Sequence, residues 1–463
     1  MISKSGLLGP KWWGLIFPRV FFYQMPYNLE KADWKAFSQK LLELDQDPSF
    51  SWGYQETGSM QGAGHEIELD FDQGLEDEAT KLQEIIEKAA EVSIPKKKSF
   101  SRSKAWWTEN LSSLRKQFGR ARKSWKKSPD QTTYRAYLEA RNSYFQEVKL
   151  AKTSCWNTFL ENAQGKEIFK AFSYTKKRLL PRLPVLKYEG KDATSFQEKC
   201  QAFMGTLFKE PPSSDPIDWT TIPEQSIWSN SWPEIKDREV KNAIFQSSIK
   251  KAPGPDKISF LLIQKAYENL ESRFNRLYRI LIRKGYHPRC WKLAKGVILK
   301  KSGPKRDYTM PKAYRVVSLL NCLGKVSEKI LAKRLTDIAE SPDSELLYHD
   351  QMGSRPKKSA LDSVLSLVHD IQLAKHQKKK TSTIFLDVKG AFDHVSVYQL
   401  LRICNKLGLP KSLIKWIYLF MSNRKILLAF DGETSQEIPI KIGIPQGSPI
   451  SPILFLIYVR FLL

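Results

Sequence analysis

Cysteine is scarce. The five in this 463-residue chain (Cys155, Cys200, Cys290, Cys322 and Cys404) are scattered, with no Cys-x-x-Cys pair, and no histidine stands at zinc-ligand spacing. A disulfide scaffold and a zinc finger or knuckle are therefore excluded, and the thiols read as buried groups of an intracellular protein. Long apolar runs are missing too. Gly14 to Met25 and Pro452 to Leu463 come nearest, but they are short and carry Arg19 and Arg460, where a bilayer span needs about 20 apolar residues. No small-residue cleavage site follows a clean apolar stretch near the start, so neither a secretory signal nor membrane insertion is expected. Acidic residues are the third shortage, 49 against 75 Lys+Arg, for a net charge of +26. That balance favours polyanionic partners, because each neutralised phosphate releases condensed counterions. With 41% hydrophobic and 12% aromatic residues, the chain still has enough apolar surface for real cores.

The charge is unevenly placed. Residues 1–95 read as a linker, aromatic-rich and irregular over 1–65 and acidic over Glu66 to Glu91, with a helix expected over Leu29 to Leu44 and another over Glu76 to Ala90. From Lys96 to Lys127 there are a dozen basic residues, among them Lys96, Lys97, Lys98, Arg115, Lys116, Arg120, Arg122 and Lys123, against Glu109 alone. Leu111, Leu114, Phe118 and Ala121 recur at helical spacing. Ser128-Pro129-Asp130 makes a turn, and Tyr134 to Ala163 reads as a second helix. This basic helical arm, residues 96–180, could lie along a nucleic-acid backbone. Trp106, Trp107 and Trp125 stand among its charges, where they could stack on bases or serve as core. Residues 181–233, rich in Pro, Ser and Trp, read as a linker. From 234 to 463 the texture becomes regular α/β: helices over Ile235 to Lys250, Leu261 to Lys284, Leu319 to Ile338, Ser359 to Lys375 and Leu413 to Met421, strands over Ala294 to Lys300 and Thr383 to Val388, and a hairpin turning at Asp431-Gly432.

Two stretches carry chemistry. In Ile384-Phe385-Leu386-Asp387-Val388-Lys389-Gly390-Ala391-Phe392-Asp393, an aspartate closes an apolar strand, which is costly unless it is paired, hydrogen-bonded or metal-bound. Magnesium takes hard oxygen ligands, usually one or two carboxylates plus substrate phosphates. Asp387 therefore fits a metal ligand for phosphoryl transfer, or the cap of a following helix; spacing alone leaves both open. Asp393 reads as the capping or hydrogen-bonding acid of the pair. The second stretch, Gly443-Ile444-Pro445-Gln446-Gly447-Ser448-Pro449-Ile450-Ser451-Pro452, offers close backbone approach at Gly447, an amide at Gln446 and a helix start at Pro452.

Three further blocks precede these in order: Ala252-Pro253-Gly254-Pro255-Asp256-Lys257, Tyr314-Arg315-Val316-Val317-Ser318-Leu319-Leu320, and Asp350-Gln351-Met352-Gly353-Ser354-Arg355-Pro356. Taken together, the five blocks resemble the reverse transcriptase of non-LTR (LINE-type) retrotransposons, most closely the fungal elements of that kind, over roughly the second half of the chain. The resemblance implies an α+β fold: right-hand polymerase fingers and a partial palm, preceded by the basic helical region. It implies Asp387 as a catalytic, metal-binding carboxylate with the Val388 carbonyl beside it, and Mg2+ in a two-metal site. Arg315, with Lys300 or Lys301, would meet the triphosphate; Phe392 would pack under the incoming sugar; Gln446 and Gly447 would touch the nucleotide. Gln351, Gly353 and Arg355 would pack against palm and template. RNA template, DNA primer and deoxynucleoside triphosphates are the implied partners, with no membrane, in an intracellular and nuclear setting.

The sequence departs from the family at Val316, where proline is usual, and at Lys257, where glycine is common. Met352 and Ser354 replace aromatics. No Tyr/Phe-x-Asp-Asp hairpin follows the Pro-Gln-Gly block, and no nuclease signature precedes the arm. The expectation is an interior stretch of a retroelement polyprotein, incomplete as a polymerase and inactive alone, with the face at Leu454, Phe455 and Tyr458 left uncovered. The alternatives are a non-catalytic nucleic-acid-binding remnant and, fitting less well, a maturase or RNA-dependent RNA polymerase.

Overall fold

The computed structural model describes residues 27–55, 72–96, 106–161, 182–211 and, apart from short gaps, 215–462. In chain order the helices and strands run α1 (Trp34–Gln46), α2 (Gln73–Ser93), α3 (Glu109–Lys127), α4 (Gln131–Glu161), β1 (Leu186–Tyr188), β2 (Lys191–Ala193), α5 (Phe196–Leu207), α6 (Asp237–Phe245) and α7 (Phe260–Lys284). They continue as β3 (Leu293–Lys300), β4 (Tyr314–Leu319), α8 (Gly324–Ala339), α9 (Ala360–His376), α10 (Val397–Lys406), α11 (Lys411–Met421), β5 (Arg424–Phe430), β6 (Glu433–Thr434), β7 (Ile438–Ile440) and α12 (Ser451–Val459). Helix and sheet are mixed, as an α+β chain requires. No helix among the described residues is long and apolar enough to cross a membrane.

The chain divides into two units, residues 97–182 and the remainder. In the larger unit, β3 is the central strand. It pairs antiparallel with β4 (Val297 opposite Val317) and parallel with β5 (Val297 opposite Ala429). The far edge of β5 takes β7 and β6, both antiparallel. Asp431 and Gly432 both have positive φ at the hairpin tip (54° and 93°), the backbone twist that two-residue hairpins favour. The expected helix over Leu319 to Ile338 begins only at Gly324, because β4 runs through Leu319. Asn321 then caps α8, its side-chain oxygen accepting from the Leu323 and Gly324 amides (2.7 and 3.2 Å).

The two expected linkers are built into this unit. Asp33 caps α1 and Asp72 caps α2, and Phe37, Leu41, Leu75, Leu82 and Ile86 are buried in the same core as α7. Arg273 on α7 ties them together. Its guanidinium meets Asp45, Glu78 and the Phe50 carbonyl, and both Arg273 and Glu78 are buried. Glu76 on α2 accepts from the Tyr286 hydroxyl (2.9 Å) and from the Arg289 and Cys290 amides (2.8 Å each). Residues 186–207, inside the second expected linker, form a hairpin and a helix with a core of their own against the sheet. Lys199 and Asp431, both largely buried, pair at 3.2 Å across that contact. Both helices of the first segment were expected, but not their packing in the main core; the hairpin and helix at 186–207 were missed because they lie beside polar, proline-rich stretches.

One expected strand does not form. Thr383 to Val388 is irregular and open to solvent, with Ile384, Phe385 and Leu386 at 83%, 82% and 89% exposure. Strand propensity measures fit to a paired, half-covered surface, and among the described residues no strand pairs with this segment. The apolar side chains of α9, Leu361, Val364 and Leu365 among them, are likewise exposed. The face on α12 expected to be open is instead covered. Leu454 is fully buried, and Phe455 and Tyr458 pack on the core.

In the smaller unit, α3 and α4 pair as a helical hairpin. Phe118 stacks on Tyr144 (5.8 Å between ring centroids) and Trp125 on Tyr137 (5.0 Å). These rings are the seam between two helices, so Trp125 serves as core. Arg115, Lys116, Arg120, Arg122 and Lys123 are carried on α3, most of them well exposed. Lys96 belongs to the larger unit, where it bridges to Tyr27. Lys97 and Lys98 lie outside the described residues.

Arg273→Ala should destabilise the chain by about 3 kcal/mol, the low end for a broken buried pair, because Glu78 loses its buried cation but keeps Lys81 (3.1 Å) and the Gly53 amide (2.8 Å). Chemical denaturation measures this. A loss below about 1 kcal/mol, the scale of a surface pair, would mean α1 and α2 are not part of the main core.

Candidate functional site

A cleft of about 560 Å³ opens where β3, β4, the 390–393 turn and the loop before α12 converge. Arg315, Phe392, Gln446 and Gly447, four of the expected nucleotide contacts, line it together with Lys301, Arg306 and Asp393. Each is placed by a local cause. Arg315 projects from β4 on the face opposite Tyr314 and Val316, which are buried. The Ser318 amide, three residues on, donates to the Gln446 carbonyl (2.7 Å) and holds the loop against the strand. Gly447 has φ +124°, and a Cβ there would stand 2.5 Å from the Ser318 carbonyl oxygen. Only glycine satisfies both constraints. Gly443 has φ +81°, and a Cβ there would meet the Asp393 and Phe392 carbonyls at 2.7 and 2.8 Å. The Gly443 and Ile444 amides donate to the Val395 and Phe392 carbonyls (3.0 and 2.8 Å), tying the loop to the turn that carries Phe392. Phe392 itself leans on Phe455 of α12 (5.2 Å between centroids).

The rim is cationic through Lys301, Arg306 and Arg315. Asp393 is the cleft's carboxylate among the described lining residues. Gln446 donates its amide nitrogen to it (3.3 Å), so Asp393 is the hydrogen-bonding acid expected from sequence. Burial raises its pKa, with His394, Lys301 and Gln446 opposing. An ionised carboxylate can only accept, so Gln446 gives it the amide nitrogen and keeps its side-chain oxygen for another partner.

Several expected contacts lie elsewhere. Lys300 points away, its ammonium 4.8 Å from the centre of the Tyr308 ring, while Lys301 takes the cleft side; strand alternation separates the two. Arg355 makes a two-pronged pair with Glu340 (2.8 and 3.1 Å) and also donates to the Gln351 carbonyl. Neither it, Gln351 nor Gly353 lines the cleft. Asp387 and Val388 sit on the exposed 383–388 segment, outside the lining. A resident magnesium pair therefore does not fit the residues described. No group of three acidic, histidine or cysteine side chains among them could hold a metal ion, and Asp387 does not join Asp393 in the cleft. Lys257, where the resemblance led to an expected glycine, adopts a left-handed conformation (φ 63°), at the cost of local strain.

Sequence reasoning missed the layer beneath the loop. Glu328 of α8 is buried and accepts from the Ser448 hydroxyl. Arg424 is buried beside it and donates to the Gly443 and Ile442 carbonyls (2.5 and 3.3 Å). A signal existed: Glu328 falls among the apolar positions of its helix. Burial pushes its carboxyl up to about 7, against the pull of Ser448, Lys325 and Arg424.

Residues 298–463 match the family described as reverse transcriptase (RNA-dependent DNA polymerase). The chain is 25% identical over 314 residues to the probable RNA-directed DNA polymerase from transposon X-element of Drosophila melanogaster, covering 65% of this chain and 34% of that protein. It is 26% identical over 355 residues to the RNA-directed DNA polymerase from mobile element jockey of the same fly, covering 73% and 38%. A putative 115 kDa protein in the type-1 retrotransposable element R1DM, also from that fly, is 24% identical over 399 residues, covering 84% and 37%. Residues 298–463 are thus similar to the reverse transcriptase family, and the chain to polymerases of non-LTR retrotransposons. The chain spans little more than a third of the length of these relatives. The cleft lies within the matched reverse transcriptase region, while α1 and α2, which precede it, pack in the main core.

The buried acid gives a pH test. A carboxyl whose folded pKa exceeds its unfolded value holds its proton more tightly when folded. Its contribution is therefore present below the ordinary carboxylate range and is lost as the pH climbs to about 7. Glu328→Gln removes that titration. Between about pH 5 and about pH 8 the variant should lose roughly 3 kcal/mol less stability than the parent. Denaturant unfolding at the two pH values measures it; equal losses would contradict the burial of an ionisable group there.

Proposed function

We propose that the cleft is the nucleotide site of an RNA-directed DNA polymerase, and that β3, β4 and the helices around them form its fingers, with the 390–393 turn and the 443–452 loop on a partial palm. The observation that carries the reading is convergence: Arg315, Phe392, Gln446 and Gly447, far apart in sequence, line one cleft with cationic Lys301 and Arg306 at its rim. Arg315 and Lys301 suit a triphosphate, since a guanidinium offers paired donors to phosphate oxygens and an ammonium a point charge. Phe392, backed by Phe455, offers a flat apolar face at sugar height. Gly447 lets backbone approach the base, and the Gln446 amide is held by Asp393. These residues bind and orient substrate. The metal-holding carboxylates of such a polymerase are not gathered among the described residues, so no chemical step is derived from them.

A second reading, nucleic-acid binding without catalysis, is favoured by the exposure of Asp387. The expected outcome combines the two: the 463-residue chain binds deoxynucleoside triphosphate but does not extend a primer above a matched Asp387→Ala control. Arg315→Ala should weaken nucleotide binding about tenfold, the scale of a lost charge-assisted hydrogen bond. Fluorescence titration on an RNA template with a DNA primer, beside primer extension with magnesium, measures both. An unchanged affinity in Arg315→Ala would remove the cleft from nucleotide binding, and extension above the control would show a complete metal site.

The α3–α4 hairpin is the proposed RNA-holding arm, acting through charge because its aromatic rings are occupied by one another. Nuclear residence is inferred from the same family likeness. Replacing Lys116, Arg120 and Lys123 together by glutamate should weaken RNA binding at all sequences alike. It should also reduce the salt slope by about 0.7 for each phosphate that is no longer neutralised. Titration of labelled RNA at several salt concentrations checks this; an unchanged slope would exclude the arm.

A further inference from the structure

The layer beneath the loop is not used by the nucleotide contacts proposed above. Glu328 hangs from the inner face of α8 and accepts from the Ser448 hydroxyl, whose oxygen also accepts from the Ile450 amide (3.3 Å). Arg424, at the start of β5, holds the carbonyls of Ile442 and Gly443 at the loop's entry. Lys325, one turn earlier on α8, is buried as well. The loop is thus suspended at its entry from a buried cation and at its exit from a buried acid. Such groups are expensive to bury, and an apolar side chain of similar size is commonly as stable or more so. Stability alone therefore gives no reason for an acid at position 328.

Geometry gives one. Between the two attachments lie Gln446 and Gly447, which form part of the cleft wall, and the Ser448 amide closes the turn by donating to the Pro445 carbonyl (3.3 Å). Ser451 ties the same carbonyl from the first turn of α12 (3.0 Å). If Ser448 swings away from Glu328, the exit of the loop loses its buried anchor, and the Gln446 backbone is left to its bond with Ser318.

We propose that Glu328 is a positioning residue for nucleotide binding: through Ser448, and opposite Arg424, it sets the loop carrying Gln446 and Gly447 at the height a nucleotide needs before one arrives. The proposal rests on the reading of the cleft as a nucleotide site. A loop ordered in advance costs less to order on binding, so loss of the attachment shows as weaker nucleotide affinity while RNA held by the arm is unaffected.

The test uses the full 463-residue chain, titrating a fluorescent deoxynucleoside triphosphate in the presence of RNA template and DNA primer, with RNA affinity measured in parallel. Ser448→Ala and Glu328→Ala should each weaken nucleotide binding about tenfold and leave RNA affinity within about twofold. The double variant should be no weaker than either single one, because both remove one interaction. Glu328→Gln, whose side-chain oxygen still accepts from Ser448, should stay within about threefold of the parent. Additive losses, a Glu328→Gln as weak as Glu328→Ala, or a joint loss of nucleotide and RNA binding would each overturn the proposal. If Glu328→Ala does not fold, the comparison of Ser448→Ala with Glu328→Gln decides in the same way. A parent chain that binds RNA but no nucleotide removes the reading of the cleft itself, and the proposal with it; normal parent binding with unaffected variants removes the proposal alone.

Discussion

The Ser318 amide donates to the Gln446 carbonyl at 2.7 Å, and Gly447 lies so close to the same strand that a Cβ would collide with the Ser318 oxygen. This backbone contact joins the sheet to the loop before α12, and the rest of the cleft depends on it. Arg315 lies three residues before Ser318 on β4, so the contact fixes its distance from Gln446. Phe392 and Asp393 follow, because Gly443 and Ile444 bind their turn by backbone hydrogen bonds. The interaction is main-chain on both sides, which leaves the side chains around it free for binding.

The charged layer below performs a different task from the charges above. Lys301, Arg306 and Arg315 remain partly in water at the rim, where they can steer and hold phosphate. Glu328 and Arg424 are removed from water and engage the loop, not the solvent. A cleft built this way is rigid underneath and electrostatically open on top. The α3–α4 hairpin divides less cleanly: Phe118 and Trp125 meet rings of α4 at the seam, the lysines and arginines of α3 face outward, and Tyr134 and Phe145 stay open to solvent.

Much of this was legible in the sequence, for a physical reason in each case. Gly447 was expected to allow close backbone approach, and it packs where a Cβ would meet the Ser318 carbonyl oxygen; Gly443 proves to need the same freedom. Asp431-Gly432 marks its turn because positive φ is cheap there. What was not legible is non-local. The 383–388 segment has strand composition, yet a strand exists only with a partner, and composition cannot supply one. Lys300 and Lys301 are adjacent in sequence, and only the register of β3 against β4 decides which faces the cleft. Glu328 stands out only as an acid among the apolar positions of α8, and its partner Ser448, 120 positions later, is brought beside it by the fold. The packing of α1, α2 and residues 186–207 into the larger unit is non-local too, tied by the buried pairs Arg273–Glu78 and Lys199–Asp431, whose partners are far apart in sequence.

The central claim is that one nucleotide sits between β4 and the 443–452 loop. Photo-crosslinking an azido-deoxynucleoside triphosphate to the chain on an RNA template, followed by mass spectrometry of the peptides, tests it most directly. The account predicts adducts in the segments holding Lys301, Arg315 and Gln446–Ser448, all suppressed by excess unlabelled nucleotide. Suppressible adducts confined to other segments, with none at these positions, would contradict it.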